Sequence, residues 1–75
     1  MTMNYLVNVP HIETDKGLEF YSPFEHVSVD WPQIGQPLYY VWSHSFHMDV
    51  AGADSFAKAM DIAAEFLKYA ETANA

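Results

Sequence analysis

Histidine is the residue type best suited to chemistry in this chain, and there are four of them. His44 and His47 stand three apart, with His11, His26 and Asp49 available to complete a set of metal ligands. Their surroundings read as a strand, however, and residues three apart on a strand point to opposite faces. One ion could then be shared only across a bulge. His44 falls on the same side of the alternation as Trp42 and Phe46, which suits a partly buried, hydrogen-bonded histidine. With no cysteine in the chain and no helical spacing of histidines, the expectation is no metal site. Ser55 and Lys58 match the Ser-x-x-Lys pattern of serine acylases, but the companion motifs are missing, and Ser55 reads as a helix cap. The carboxylate pairs Glu13/Asp15, Asp61/Glu65 and Asp49/Asp54 fall in expected loops or on an exposed helix face, where solvated charge is the ordinary role. Three glycines cannot build a phosphate cradle. No catalytic residue, no cofactor and no enzymatic activity are expected.

Charge is the more informative constellation. Ten acids face three lysines and no arginine, giving a net charge of −7 on 75 residues. Binding DNA or RNA directly requires cations that displace phosphate counterions, and base reading relies on arginine. Both requirements exclude direct nucleic-acid binding, and the first also disfavours an anionic membrane surface. A basic protein partner is favoured, because opposite charge steers encounter. Acidity that serves solubility is the competing reading. The acids are dispersed through the chain, so a folded surface could imitate a row of phosphates and pair with guanidinium groups in a basic groove. The residues expected to meet such a partner are Glu13, Asp15, Glu19, Glu25, Asp30 and Asp49, with Trp31 and Tyr39 as aromatic anchors.

The elements that must position these residues follow from periodicity. From Ala53 to Thr72 there is no Gly or Pro. Phe56, Met60, Ala63, Leu67 and Ala70 recur at helical spacing, with Ile62, Phe66 and Tyr69 as a flanking stripe. Met3–Val9 alternates as a strand ended by Pro10. Thr14–Gly17 is a turn, and Leu18–Tyr21 a second strand. Phe24–Asp30 alternates again. Trp31–Pro37, with two prolines and a glycine, is a loop. Leu38–Met48 is the longest strand candidate. Its Leu38, Tyr40, Trp42, His44, Phe46 and Met48 set is expected beneath the helix, and Tyr39 and Val41 on the other face. The expected fold is α+β: an antiparallel sheet of three to four strands with one C-terminal helix packed on one face, in the order ββ(β)βα. The uncovered face is then solvated, or a binding or dimer surface.

The length corresponds to one domain over residues 1–75. Absence of cysteine agrees with a reducing cytoplasm. The N-terminal stretch lacks the positive region and apolar length of a signal peptide, and no apolar run reaches the roughly 20 residues of a membrane helix. A cytoplasmic location is expected. In size, acidity, lack of cysteine and sheet-plus-helix pattern, the chain resembles small phage-encoded anti-defence proteins, the anti-CRISPR inhibitors in particular. The likeness is of overall character and assigns no residue a role. It implies a non-enzymatic protein, acting in a host cytoplasm, that binds a CRISPR effector subunit and blocks its access to DNA. Two alternatives stand beside it. One is a small homodimeric adaptor or accessory subunit joined through the uncovered sheet face. The other is a small metal protein using His44, His47 and nearby acids.

Overall fold

Each strand pairs with the next in sequence, so the sheet is an antiparallel meander ordered β1-β2-β3-β4-β5. A computed structural model describes residues 6–73. The strands are β1 (His11–Glu13), β2 (Gly17–Tyr21), β3 (His26–Asp30), β4 (Tyr39–Ser43) and β5 (Met48–Ala53), followed by the helix α1 (Phe56–Ala73). The fold is the expected α+β arrangement with one strand more than expected. The extra strand arises where the long run Leu38–Met48 breaks. Residues 44–47 form a turn, His47 takes a positive φ of 54°, and the chain reverses into β5. Of the strand expected at Met3–Val9, residues 3–5 lie outside the described residues. Leu6 to Val9 form a turn instead, closed by a 3.1 Å bond from Val9 N–H to the Leu6 carbonyl. Pro10 thus precedes the first described strand, and its carbonyl accepts a hydrogen bond from Tyr21 N–H. A proline there costs the ladder no donor.

The turn into β2 is built by Thr14, whose hydroxyl accepts from the N–H groups of Lys16 and Gly17 at 3.2 and 3.1 Å. Gly17 is required by close approach, since a Cβ there would collide with the Val29 carbonyl oxygen. At the same end of β3, Gln33 and Gln36 exchange backbone bonds of 2.9 Å around Ile34 and Gly35. Gly35 supplies the positive φ of 83° that this turn needs.

The helix covers Phe20, Val27, Val29, Val41, Ser43 and Ala53, and not the Tyr40/Trp42 side expected beneath it. The reason lies in the helix. Its buried line is Ala59, Ala63, Ala64, Leu67 and Ala70. Four alanines bring the helix close to the sheet, and valines fill the remaining gap where indole and phenol rings would not fit. The large helix residues flank this line: Met60, Ile62 and Phe66 are partly buried, while Phe56 and Tyr69 are exposed. Each fully buried Val, Phe or Leu contributes roughly 1.5–3 kcal/mol, so the core rests on Phe20, Val27, Val29, Val41 and Leu67. Leu6 also joins this core. Ser55 caps the helix as expected, accepting from Lys58 N–H at 3.2 Å. The Lys58 ammonium pairs with Asp54 at 3.2 Å in solvent, which leaves the acylase reading of Ser55 and Lys58 without geometric support.

Candidate functional site on the open sheet face

Strand alternation sends every second residue to the face that the helix does not cover. Register then decides which of them meet. Ile12 lies opposite Glu19, Glu19 opposite Ser28, Ser28 opposite Trp42, and Trp42 opposite Asp49. These five residues form one row across all five strands. A second row runs Gly17, Asp30, Tyr40, Gly52. Asp49 reaches its row because of an irregularity between Val41 and Trp42: Val41 pairs with Ala51, Trp42 pairs with Asp49, and Val50 is left unpaired.

Beyond the first row stands a stack of rings. Tyr21 is opposite His26, with ring centroids 4.3 Å apart. His26 in turn stacks on His44 at 3.7 Å and within 6° of parallel. The backbone holds this pair together through a 3.0 Å bond from His44 N–H to the His26 carbonyl. Both rings are also tied laterally. His26 Nε2 lies 2.9 Å from Glu19 Oε1, and His44 Nε2 lies 2.6 Å from Ser28 Oγ. The Tyr21 hydroxyl donates to the same Glu19 oxygen at 3.0 Å. That bond holds the Glu19 carboxyl below its usual range, with His26 adding to the effect against the opposing influence of burial. Burial, followed by the neighbouring His26, keeps the His44 imidazole below its ordinary value. A concavity of about 440 Å³ opens beside this group, lined by Thr14, Asp15, Lys16, Glu19, Ser28, Asp30, Trp42 and His44.

The residues expected to contact a partner separate into three groups. Glu19, Asp30 and Asp49 share the open face, and Asp15 lines the same concavity. Asp30 sits above the usual carboxylate range, first through burial and then through the charge of Asp49. Glu13 is exposed on the edge strand β1, opposite Leu18. Trp31 and Tyr39 pack edge-on against each other, and both lie tilted against Phe56, at the helix side of the sheet.

Glu25 is a correction. It is 4% exposed, and both of its oxygens are engaged within the protein. Oε1 accepts from the backbone N–H groups of His26 and Ser45 at 2.9 and 3.1 Å, and Oε2 from Ser43 Oγ at 3.0 Å. Burial pushes its carboxyl up, but the bonds from Ser45, Ser43 and His26 outweigh burial and leave it below the ordinary value. Glu25 is a structural clamp on the 44–47 turn and offers a partner nothing.

Sequence reasoning missed the meeting of His26 with His44 and paired His44 with His47 instead. His47 is exposed in the turn. The usable signal was alternation, which places His26 with Ser28 and Asp30, and His44 with Trp42. Joining the two sets required the β3–β4 register. Among the described residues no helix is long and apolar enough to cross a membrane. No protein-family model, curated protein or solved structure matches the chain.

Proposed function

We propose that the protein is a non-enzymatic acidic inhibitor whose open sheet face docks onto a basic nucleic-acid-binding surface and blocks access to DNA. A CRISPR effector subunit is the kind of partner this chemistry fits. The observation that carries the reading is the crowding of Glu19, Asp30 and Asp49 on one uncovered face, with Asp30 held above the usual carboxylate range by burial and by Asp49. Like charges in that position repel, and a guanidinium fork or ammonium from a partner relieves the repulsion. The distribution of charge supports the same side. Seven of the ten acids and one lysine, Lys16, precede the helix, a net of −6, and of these acids Glu25, engaged on the 44–47 turn, and Asp54, paired with Lys58, are committed within the protein. The helix carries Lys58 and Lys68 against Asp61, Glu65 and Glu71. Strand spacing puts Glu19 on β2 and Asp49 on β5 roughly 14 Å apart, a reach suited to a basic groove and not to one ion pair. Trp42, between them in the same row, is the aromatic anchor. Ile34, fully exposed at the tip of the 33–36 turn, adds an apolar contact at the Asp30 end.

The same charges disfavour self-association through this face. A two-fold interface sets each patch against its own copy, so the three carboxylates would face three more. The test begins with affinity capture from a native host lysate, with nuclease present, and purification of the captured protein. Its binding to labelled duplex DNA is then titrated with this chain. Stoichiometric displacement of the DNA is expected, with Asp30→Lys plus Asp49→Lys weakening the inhibition at least tenfold and Glu65→Lys on the helix leaving it unchanged. DNA binding that persists under saturating inhibitor, or indifference to the Asp30 and Asp49 reversals, would overturn the proposal. Sedimentation of the free protein at high micromolar concentration separates the homodimer alternative, which requires a concentration-dependent dimer.

A further inference from the structure

The geometry points to a divalent transition-metal site formed by Glu19, His26 and His44, of the class that takes Zn²⁺ or Co²⁺. One donor atom from each of the three residues lies within 4.8 Å of the others. A tetrahedral ion with bonds of about 2.0–2.1 Å sets its donors about 3.3 Å apart. Imidazole lone pairs lie in the ring plane, so the parallel His26 and His44 rings must tilt out of their stack to share it. One edge is nearly made, because His26 Nε2 and Glu19 Oε1 stand 2.9 Å apart. An ion would take the place of the proton between them.

Scaffold and surroundings support the assignment. Glu19 is mid-strand in β2 and His26 opens β3, both held by the ladder, while His44 begins the 44–47 turn directly after β4 and is tied to the sheet by the bond from its N–H to the His26 carbonyl. Sites carried on paired strands keep their geometry better than sites on loops. Two further side chains orient the ligands: the Tyr21 hydroxyl on Glu19 and the Ser28 hydroxyl on His44. The first is an outer partner of the kind a ligating carboxylate requires, and the second serves a His44 that ligates through Nδ1, since Ser28 engages Nε2. Two nitrogens and one oxygen suit borderline metals, whereas Mg²⁺ and Ca²⁺ call for all-oxygen shells. The His26 and Glu19 side chains keep 30% and 28% of their surface exposed, which leaves an entry path and room for a fourth ligand. Glu19 belongs both to this site and to the acidic docking surface, but the inference rests on the imidazole pair beside it and concerns the isolated protein.

The test uses the purified full chain after treatment with a chelator. Co²⁺ is added as the chloride and followed by visible absorption, and Zn²⁺ is titrated calorimetrically. One equivalent is expected to bind saturably, with ligand-field bands of a low-coordinate Co²⁺ centre and a raised thermal midpoint. His26→Gln and His44→Gln are each expected to weaken binding at least tenfold, and His47→Ala to leave it unchanged. Glu19→Gln is a third ligand variant that keeps the test open if a histidine variant fails to fold, as judged by circular dichroism. The inference is overturned by absence of saturable binding up to millimolar metal. It is equally overturned by binding that survives the folded ligand variants, or that is lost with His47→Ala. Asp30 and Asp49 are not ligands, so their reversal acts on the metal titration only through charge and keeps one equivalent bound, whereas the docking test turns on these two residues, and the two proposals fail separately.

Discussion

Glu25 shows how one carboxylate can be committed to the fold. Its two oxygens accept three hydrogen bonds, two from the backbone of residues 26 and 45 and one from Ser43. A bond to a charged group contributes about 1.5–3 kcal/mol, and an amide in its place loses part of each interaction while adding donors that have no acceptor. Glu25→Gln is therefore expected to destabilise the fold by about 2 kcal/mol, read as a lower urea midpoint at neutral pH. The pH dependence has a definite sign. Its folded-state value is lowered, so the stabilisation is fully present above the ordinary glutamate value of 4.5 and is lost as pH falls through the lower folded value. The difference between wild type and Glu25→Gln should accordingly shrink in acid. A constant difference across that window would mean that the ionised form is not what holds the turn.

At the scale of elements, the contact between α1 and the sheet is a contact of small residues with valines. Ala59, Ala63, Ala64 and Leu67 are fully buried against Val27, Val29 and Val41. Such a seam tolerates little added volume, because interiors are packed to crystal-like density. Ala63→Leu should cost about 1–3 kcal/mol through overpacking, measured as a fall in thermal midpoint. An unchanged midpoint would mean that the helix is not held as close to the sheet as its alanines imply. Elements also explain why aromatic residues are so abundant. Among the described aromatic residues only Phe20 is wholly inside. The others rim the helix or stand on the open face, where Tyr21, Tyr40 and Trp42 remain in reach of a partner.

For the molecule as a whole, the two sides of the sheet have opposite tasks. The helix side carries the apolar core, and the other side carries charge that folding does not need. Asp30 makes this measurable. Its folded value is raised, so the folded state binds its proton more tightly than the unfolded chain does. Stability therefore declines as pH rises from the ordinary aspartate value through the raised folded value, and the loss is complete above it. Asp30→Asn should stabilise the protein at neutral pH by something under about 1 kcal/mol after allowance for solvent screening, with the gain vanishing in acid. The same substitution should weaken a basic partner. A variant that destabilises at neutral pH would remove the argument that Asp30 is held there against its own electrostatics.

The amino-acid order alone determined the fold class, the single C-terminal helix, its Ser55 cap and the acidity of the surface. These follow from local period, turn chemistry and composition, each of which acts over a few residues. Which face the helix covers was decided only by tertiary structure. In Leu38–Met48 the set with the larger apolar residues was left open, and the set carrying Val41 and Ser43 was buried, because the small Ala59–Ala70 seam admits small side chains and excludes rings. The break at residues 44–47 was equally non-local, because its clamp, Glu25, lies about twenty residues earlier. The imidazole pair follows the same logic. His26 and His44 are eighteen positions apart, and only the pairing of β3 with β4 stacks them at 3.7 Å.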